Sequence, residues 1–177
     1  MRQNARSAKA IAAGAERRLA AILATDVVGY SRLMQRDEAG TVARFNALRR
    51  KLIDPLLKSY GGRFVDLKGD GAMVEFRSVV AAVEAAAALQ REMVEHEEGW
   101  PEDERIRFRI GITSGDVIVD GGQIYGDWLN IAARIQSLCE PGGVWLSEAV
   151  HDQIRGRLAH QVRADRPPPC EEHCGAN

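Results

Sequence analysis

No apolar run in this sequence is long enough to cross a bilayer: the longest, such as Leu19 to Ala24, fall far short of the roughly 20 residues a spanning helix needs. A membrane span is therefore not expected. Positive charge is not in excess either. The 24 lysines and arginines are offset by 25 aspartates and glutamates, a formal net charge of −1. No overall field exists to hold a nucleic acid or an anionic membrane, so an anionic ligand must be gripped locally. Cysteine is scarce, with three in a chain of 177 residues. That length can bury a core without covalent staples, so a disulfide scaffold is excluded and a reducing, cytoplasmic setting is the simpler reading. There is no internal repeat. Residues 1–18 scatter Arg2, Arg6, Lys9, Arg17 and Arg18 among alanines, without the apolar centre of a secretory signal, and read as a leader or linker.

What is present is a sequence of alternating element signals. Leu19 to Val28 is a short apolar run broken near its end by one acid, Asp26, and reads as a buried strand. From Asp37 to about Tyr60, Val42, Phe45, Leu48, Leu52 and Leu56 recur every three or four residues as one helix face, and Pro55 is expected to kink it or start a new turn. Arg63 to Leu67 and Ala72 to Phe76 flank Lys68-Gly69-Asp70-Gly71, the chemistry of a tight hairpin. An alanine-rich helix follows over Val79 to Glu95, then a loop over Trp100 to Glu104. Arg105 to Ile112 alternates as a half-buried strand and Asp116 to Val119 continues or returns it. A helix over Asp127 to Leu138, a strand over Val144 to Leu146 and a helix capped by Ser147 complete the order. Hairpins mixed with helices predict an α+β fold, one sheet with helices mainly on one face.

Asp26 interrupts an apolar strand, where a carboxylate is costly unless it meets a cation or caps the helix that starts near Ser31. Asp70 sits at the hairpin tip, where Gly-Asp-Gly is also ordinary turn composition. If strand end and tip lie side by side, the two carboxylates suit two magnesium ions, each completed by water and substrate phosphates. Between Asp26 and the long helix, Val27-Val28-Gly29-Tyr30-Ser31 offers backbone N–H groups at a helix start, to which a polyphosphate could bind.

Five ordered blocks, RLAAILATDVVGYSRLM, GGRFVDLKGDGAMVEF, RFRIGITSGDVIV, IYGDWLNIAARIQ and EPGGVWLSE, resemble the class III adenylate and guanylate cyclase catalytic domain over about residues 17 to 158. The resemblance implies a ferredoxin-like βαββαβ core with one mainly antiparallel sheet. With the composition at either end, it divides the chain into a leader or linker over 1–18, a catalytic domain over 19–158 and, from the shift to prolines and polar residues, a disordered tail over 159–177. It implies that ATP or GTP is converted to a 3′,5′-cyclic nucleotide and pyrophosphate by two Mg²⁺ or Mn²⁺ ions on Asp26, Asp70 and the carbonyl of Val27. It makes Val28, Gly29, Tyr30 and Ser31 the phosphate loop. Asn130 and Arg134 match the family's N-x-x-x-R pair, which orients the ribose and stabilises the reacting phosphate, and four-residue spacing puts both on one helix face. In the family the pair acts on a partner's metal site, so a homodimer with sites at its interface is expected.

Two departures stand out. The family's adenine-reading lysine and aspartate are replaced by Asp66 and Gln123; guanylate cyclases carry an acid at the first place, and Lys68 lies two residues from Asp66 as a possible substitute. Base choice between ATP and GTP stays open. The family's final β-hairpin with its basic residue has no counterpart before the Pro167-Pro168-Pro169 tail, where Cys170, His173 and Cys174 match no usual zinc pattern. These departures motivate the alternative of a weak or inactive cyclase-like module that dimerises or binds nucleotide. A dinucleotide-forming cyclase ranks below both, because Asp70 lies in Lys-Gly-Asp-Gly rather than that group's G-G-[DE]-E-F hairpin.

Overall fold

The computed structural model describes residues 15–157. The tail, with its prolines, Cys170, His173 and Cys174, and most of the leader lie outside the described residues. The central strand β1 (Glu16–Val27) begins within the leader, with Arg17 and Arg18 extended against Ile118 and Val117. The charged residues at its start hide this extension from an apolar-run reading, and Arg18 is held there by an ion pair with buried Glu75.

β1 is apolar on both sides because both are covered. Ala21, Leu23 and Val27 join one cluster, whereas Ala20, Ile22 and Ala24 join another. Strands β2 (Arg63–Lys68), β3 (Gly71–Phe76), β4 (Phe108–Asp120) and β5 (Gln123–Tyr125) pair antiparallel in the order β2-β3-β1-β4-β5. β6 (Val144–Leu146) adds a parallel pairing to β4. The ferredoxin-like, mainly antiparallel sheet expected from the sequence is thus present.

The larger core lies under α1 (Tyr30–Arg36), α2 (Glu38–Leu48), α3 (Asp54–Ser59), α4 (Val79–Glu97) and α6 (Glu148–Ile154), through residues such as Phe45, Leu57, Leu89 and Val150. Side-chain caps start three of them: Asp37 accepts from Gly40 N–H at 2.9 Å, Ser78 from Ala81 N–H at 3.2 Å and Ser147 from Val150 N–H at 3.4 Å. The expected long helix is divided between α2 and α3 by a wide π turn, Arg49–Ile53, closed by Asp54 N–H on Arg49 O. Pro55 sits in the first turn of α3, where its missing N–H is harmless. The wide turn accommodates a ring that would otherwise meet the carbonyl four residues back.

Helix α5 (Trp128–Leu138) supplies the second, smaller cluster with Trp128, Leu129 and Ala132. It approaches β4 at Gly111, where an added Cβ would lie 2.3 Å from Gln136 N and 2.7 Å from Ala132 O. Both are backbone atoms and cannot step aside. Gly111→Ala is therefore expected to lower unfolding free energy by about 1–3 kcal/mol, as overpacked cores do, measured by urea denaturation.

The segment entering β4 is pinned by Glu97, which is 2% exposed, pairs with Arg44 and accepts from Ile106 N–H at 2.7 Å. Arg44 also stacks over Trp100 at 3.6 Å. Within the expected loop, Glu102–Glu104 form a short 3₁₀ turn.

Candidate active site

Asp26 is the penultimate residue of β1 and stands opposite Arg109 on β4. The Arg109 guanidinium donates to Asp26 Oδ2 at 3.1 Å, and each side chain keeps 31% of its surface exposed. The Nε of Arg109 is buried with no partner, so this cation is only partly satisfied by Asp26. On the other side of β1, Thr25 faces Ala72, which brings the Gly69-Asp70 tip of the β2–β3 hairpin alongside Asp26. Gly69 takes a φ of 58°, a left-handed geometry that glycine adopts without strain.

The electrostatics record this proximity. Burial pushes the Asp70 carboxyl above the ordinary carboxylate range, and the neighbouring Asp26 carboxylate adds to the rise; a backbone hydrogen bond at the tip and the Arg109 charge oppose it. The Tyr30 phenol is also raised, by burial first and then by the charge of Asp70, so the segment after β1 lies against the same tip.

That segment is fixed from both ends. Val28 N–H donates to Arg107 O at 2.8 Å, and Gly29, with φ of 67°, accepts at its carbonyl from Arg32 and Leu33 N–H at 3.0 and 3.1 Å. Tyr30 packs on Phe45 with ring centroids 5.6 Å apart, while Ser31 is exposed. The Val27 side chain is buried in the core, which leaves its carbonyl as the group it can offer a ligand.

A groove of about 200 Å³ opens on the face that carries α5, lined by Asp26, Asp66, Ala24, Met73 and Gln136 among others. One row across four strands forms its floor: Asp66 stands opposite Met73, Met73 opposite Ala24, and Ala24 opposite Gly111. Ala24 is the small lining residue of that row and leaves the hollow, while Gly111 lets the backbone of α5 close down at its edge. Asp66 reaches it through a β-bulge. The β2–β3 register shifts between Phe64 and Asp66, so Val65 is an extra residue. Val65 packs on the cluster beneath α5 and Asp66 lines the groove on that same face, which strict alternation would forbid.

Asn130 and Arg134 lie on α5 as expected, both exposed, and neither lines the groove. Gln123 is exposed on β5 opposite Asp120, also outside the groove lining, and Lys68 closes the hairpin ladder opposite Gly71. Sequence reading missed Arg109 and Gln136. Arg109 is the last of three alternating arginines, Arg105, Arg107 and Arg109, that lead into β4, and is singled out only by its register with Asp26. Gln136 reads as one more polar helix residue, although it is 9% exposed.

Two adjacent carboxylates suit a hard divalent cation that takes its remaining oxygens from water and phosphate, so the residues present fit Mg²⁺ or Mn²⁺. Among the described residues no cluster of three or more metal-type side chains forms, and no helix is long and apolar enough to cross a membrane.

Comparison with known proteins agrees with this geometry. A Rhizobium meliloti (strain 1021) protein that carries an adenylate cyclase name is 48% identical over 141 residues, 80% of this chain and 24% of that protein. An adenylate cyclase of Streptomyces coelicolor is 31% identical over 139 residues, covering 78% of this chain and 35% of its own length. The chain thus spans about a quarter to a third of these relatives. A crystal structure described as an adenylate/guanylate cyclase/hydrolase from Silicibacter pomeroyi superposes with a TM-score of 0.78 at 44% identity, over 82% of this chain and 85% of that one. Residues 15–167 match the family described as the adenylate and guanylate cyclase catalytic domain, and with the strand-end and hairpin-tip aspartates side by side on its sheet, the chain belongs to that family.

Proposed function

We propose that this domain converts ATP or GTP to a 3′,5′-cyclic nucleotide and pyrophosphate, acting as a homodimer in the cytoplasm. The observation that carries the reading is the placement of the Asp26 and Asp70 carboxylates together at the strand end and hairpin tip, beside the Val27 carbonyl, an oxygen set that suits a divalent cation. Two Mg²⁺ or Mn²⁺ ions held by these carboxylates and the Val27 carbonyl would supply Lewis acidity to the ribose 3′-hydroxyl and charge neutralisation to the phosphates. In the reaction the 3′-oxygen bonds to the α-phosphorus, the bond from that phosphorus to pyrophosphate breaks, and the hydroxyl proton leaves to solvent.

The chain's own residues divide the remaining work. Backbone N–H groups of Gly29, Tyr30 and Ser31 hold the phosphates at the start of α1, Val28 forming the entry to the loop with its own N–H given to Arg107 O, and Arg109 adds a cation beside them. Asn130 orients the ribose, and the Arg134 guanidinium forks onto oxygens of the reacting phosphate. Asp66 reads the base from the groove; Lys68 and Gln123 are the other positions to which the family resemblance gives that role. Asn130 and Arg134 point to solvent outside the groove of their own chain, which supports their action on a partner's Asp26 and Asp70.

The test is incubation of the purified domain with ATP and with GTP in Mg²⁺ and in Mn²⁺, with products identified by mass spectrometry and Asp70→Ala as control. A cyclic product that disappears in the variant is the expected result. Nucleotide binding by a folded dimer without product would instead support a binding module.

A further inference from the structure

Gln136 is a polar group of the groove that neither the metal pair nor the Asn130 and Arg134 pair uses. Gln136 is 9% exposed, lines the groove, and its amide Nε2 is buried with no hydrogen-bond partner. A buried donor without an acceptor is unfavourable, and such groups mark places where something else completes the bond. Its backbone is closely packed: α5 lies so near β4 at Gly111 that a Cβ added there would be 2.3 Å from the Gln136 backbone N, and this packing fixes where the side chain starts.

Across the hollow floored by Met73 and Ala24 stands Asp66, turned to this face by the Val65 bulge. One side of the groove therefore offers a carboxylate, which only accepts, and the other an amide with N–H groups to donate. Purine bases carry a donor beside an acceptor on one edge: N1–H beside O6 in guanine, the 6-amino group beside N1 in adenine. Gln123, the position expected from sequence to share base reading with Asp66, lies outside the groove lining on exposed β5. We infer that Gln136 is a base-reading residue of this domain, donating its side-chain amide to the purine acceptor, O6 or N1, whose neighbouring N–H is taken by Asp66. This rests on the proposed nucleotide substrate.

The test pairs a variant with nucleotides whose acceptor atom is weakened or missing. Wild type and Gln136→Leu are compared for binding, by calorimetry, and for kcat/KM with GTP against 6-thio-GTP, which keeps N1–H but carries a weakly accepting sulfur in place of O6, and with ATP against 1-deaza-ATP, which keeps the 6-amino group but lacks N1. In the wild type the analogue of the preferred nucleotide is expected to bind roughly ten-fold more weakly, the size of one hydrogen bond, and Gln136→Leu is expected to erase that difference. Gln136→Glu, which replaces the donor by an acceptor, is expected to lose more affinity than Gln136→Leu. An analogue penalty that persists undiminished in a folded Gln136→Leu protein overturns the inference while leaving cyclase function intact. A wild type that binds neither ATP nor GTP overturns the function reading itself, and the inference with it.

Discussion

Replacing Asp70 by asparagine is expected to cut cyclic nucleotide formation by about a thousand-fold or more, since a metal-ligand charge contributes several kcal/mol at the transition state, and yet to raise the Tm of the metal-free protein. Both effects have one origin. The carboxyl is raised by burial and by Asp26, so the folded, metal-free chain holds a proton that the unfolded chain gives up. Stability contributed by that proton is present below the ordinary carboxylate pKa and is lost as pH rises through the raised value. At neutral pH the ionised pair therefore opposes folding when no cation is bound. Asparagine keeps the shape of the tip without the charge. Thermal melts in EDTA between pH 4 and 8, beside product assays in Mn²⁺, check both halves. A variant that lost activity and stability together would indicate that Asp70 merely shapes the turn.

The second large effect is a recovery. Asp70→Ala and Arg134→Ala should each be inactive alone. Mixed in equal amounts and allowed to exchange subunits, they are expected to regain about a quarter of wild-type activity, because random pairing makes half the dimers mixed and each mixed dimer has one intact site of two. The reason is geometric: α5 exposes Asn130 and Arg134 to solvent, outside the groove that Asp26 lines. An inactive mixture, with subunit exchange verified by differently tagged chains, would mean that each chain completes its own site.

Much of this arrangement could be read from residue order, and what could not has physical causes. The apolar run of β1, the Gly69-Asp70 tip and the serine caps are local signals, and local signals survive in sequence. Pro55 marked a break, but its form, a π turn clasped by Arg49 and Asp54 at 3.3 and 3.4 Å, depends on packing against the sheet. The face that Asp66 presents was not legible, because one extra residue at Val65 reverses it and no turn residue announces the bulge. Arg109 and Gln136 depend on partners 83 and 25 positions away in the chain, Asp26 and Gly111 respectively. Such pairings are set by strand register and helix approach, which periodicity does not encode.

The ion pair between Arg109 and Asp26 also bears on how the chain comes into being. A small zinc domain waits for its metal before it can fold, because its ligand charges have no other counterion. Here the sheet itself delivers a guanidinium to the strand-end carboxylate as β4 pairs with β1. The newly made chain carries its own provisional counterion for Asp26, so this strand end is paired as soon as the sheet forms, and only the Asp70 charge still weighs against the metal-free fold.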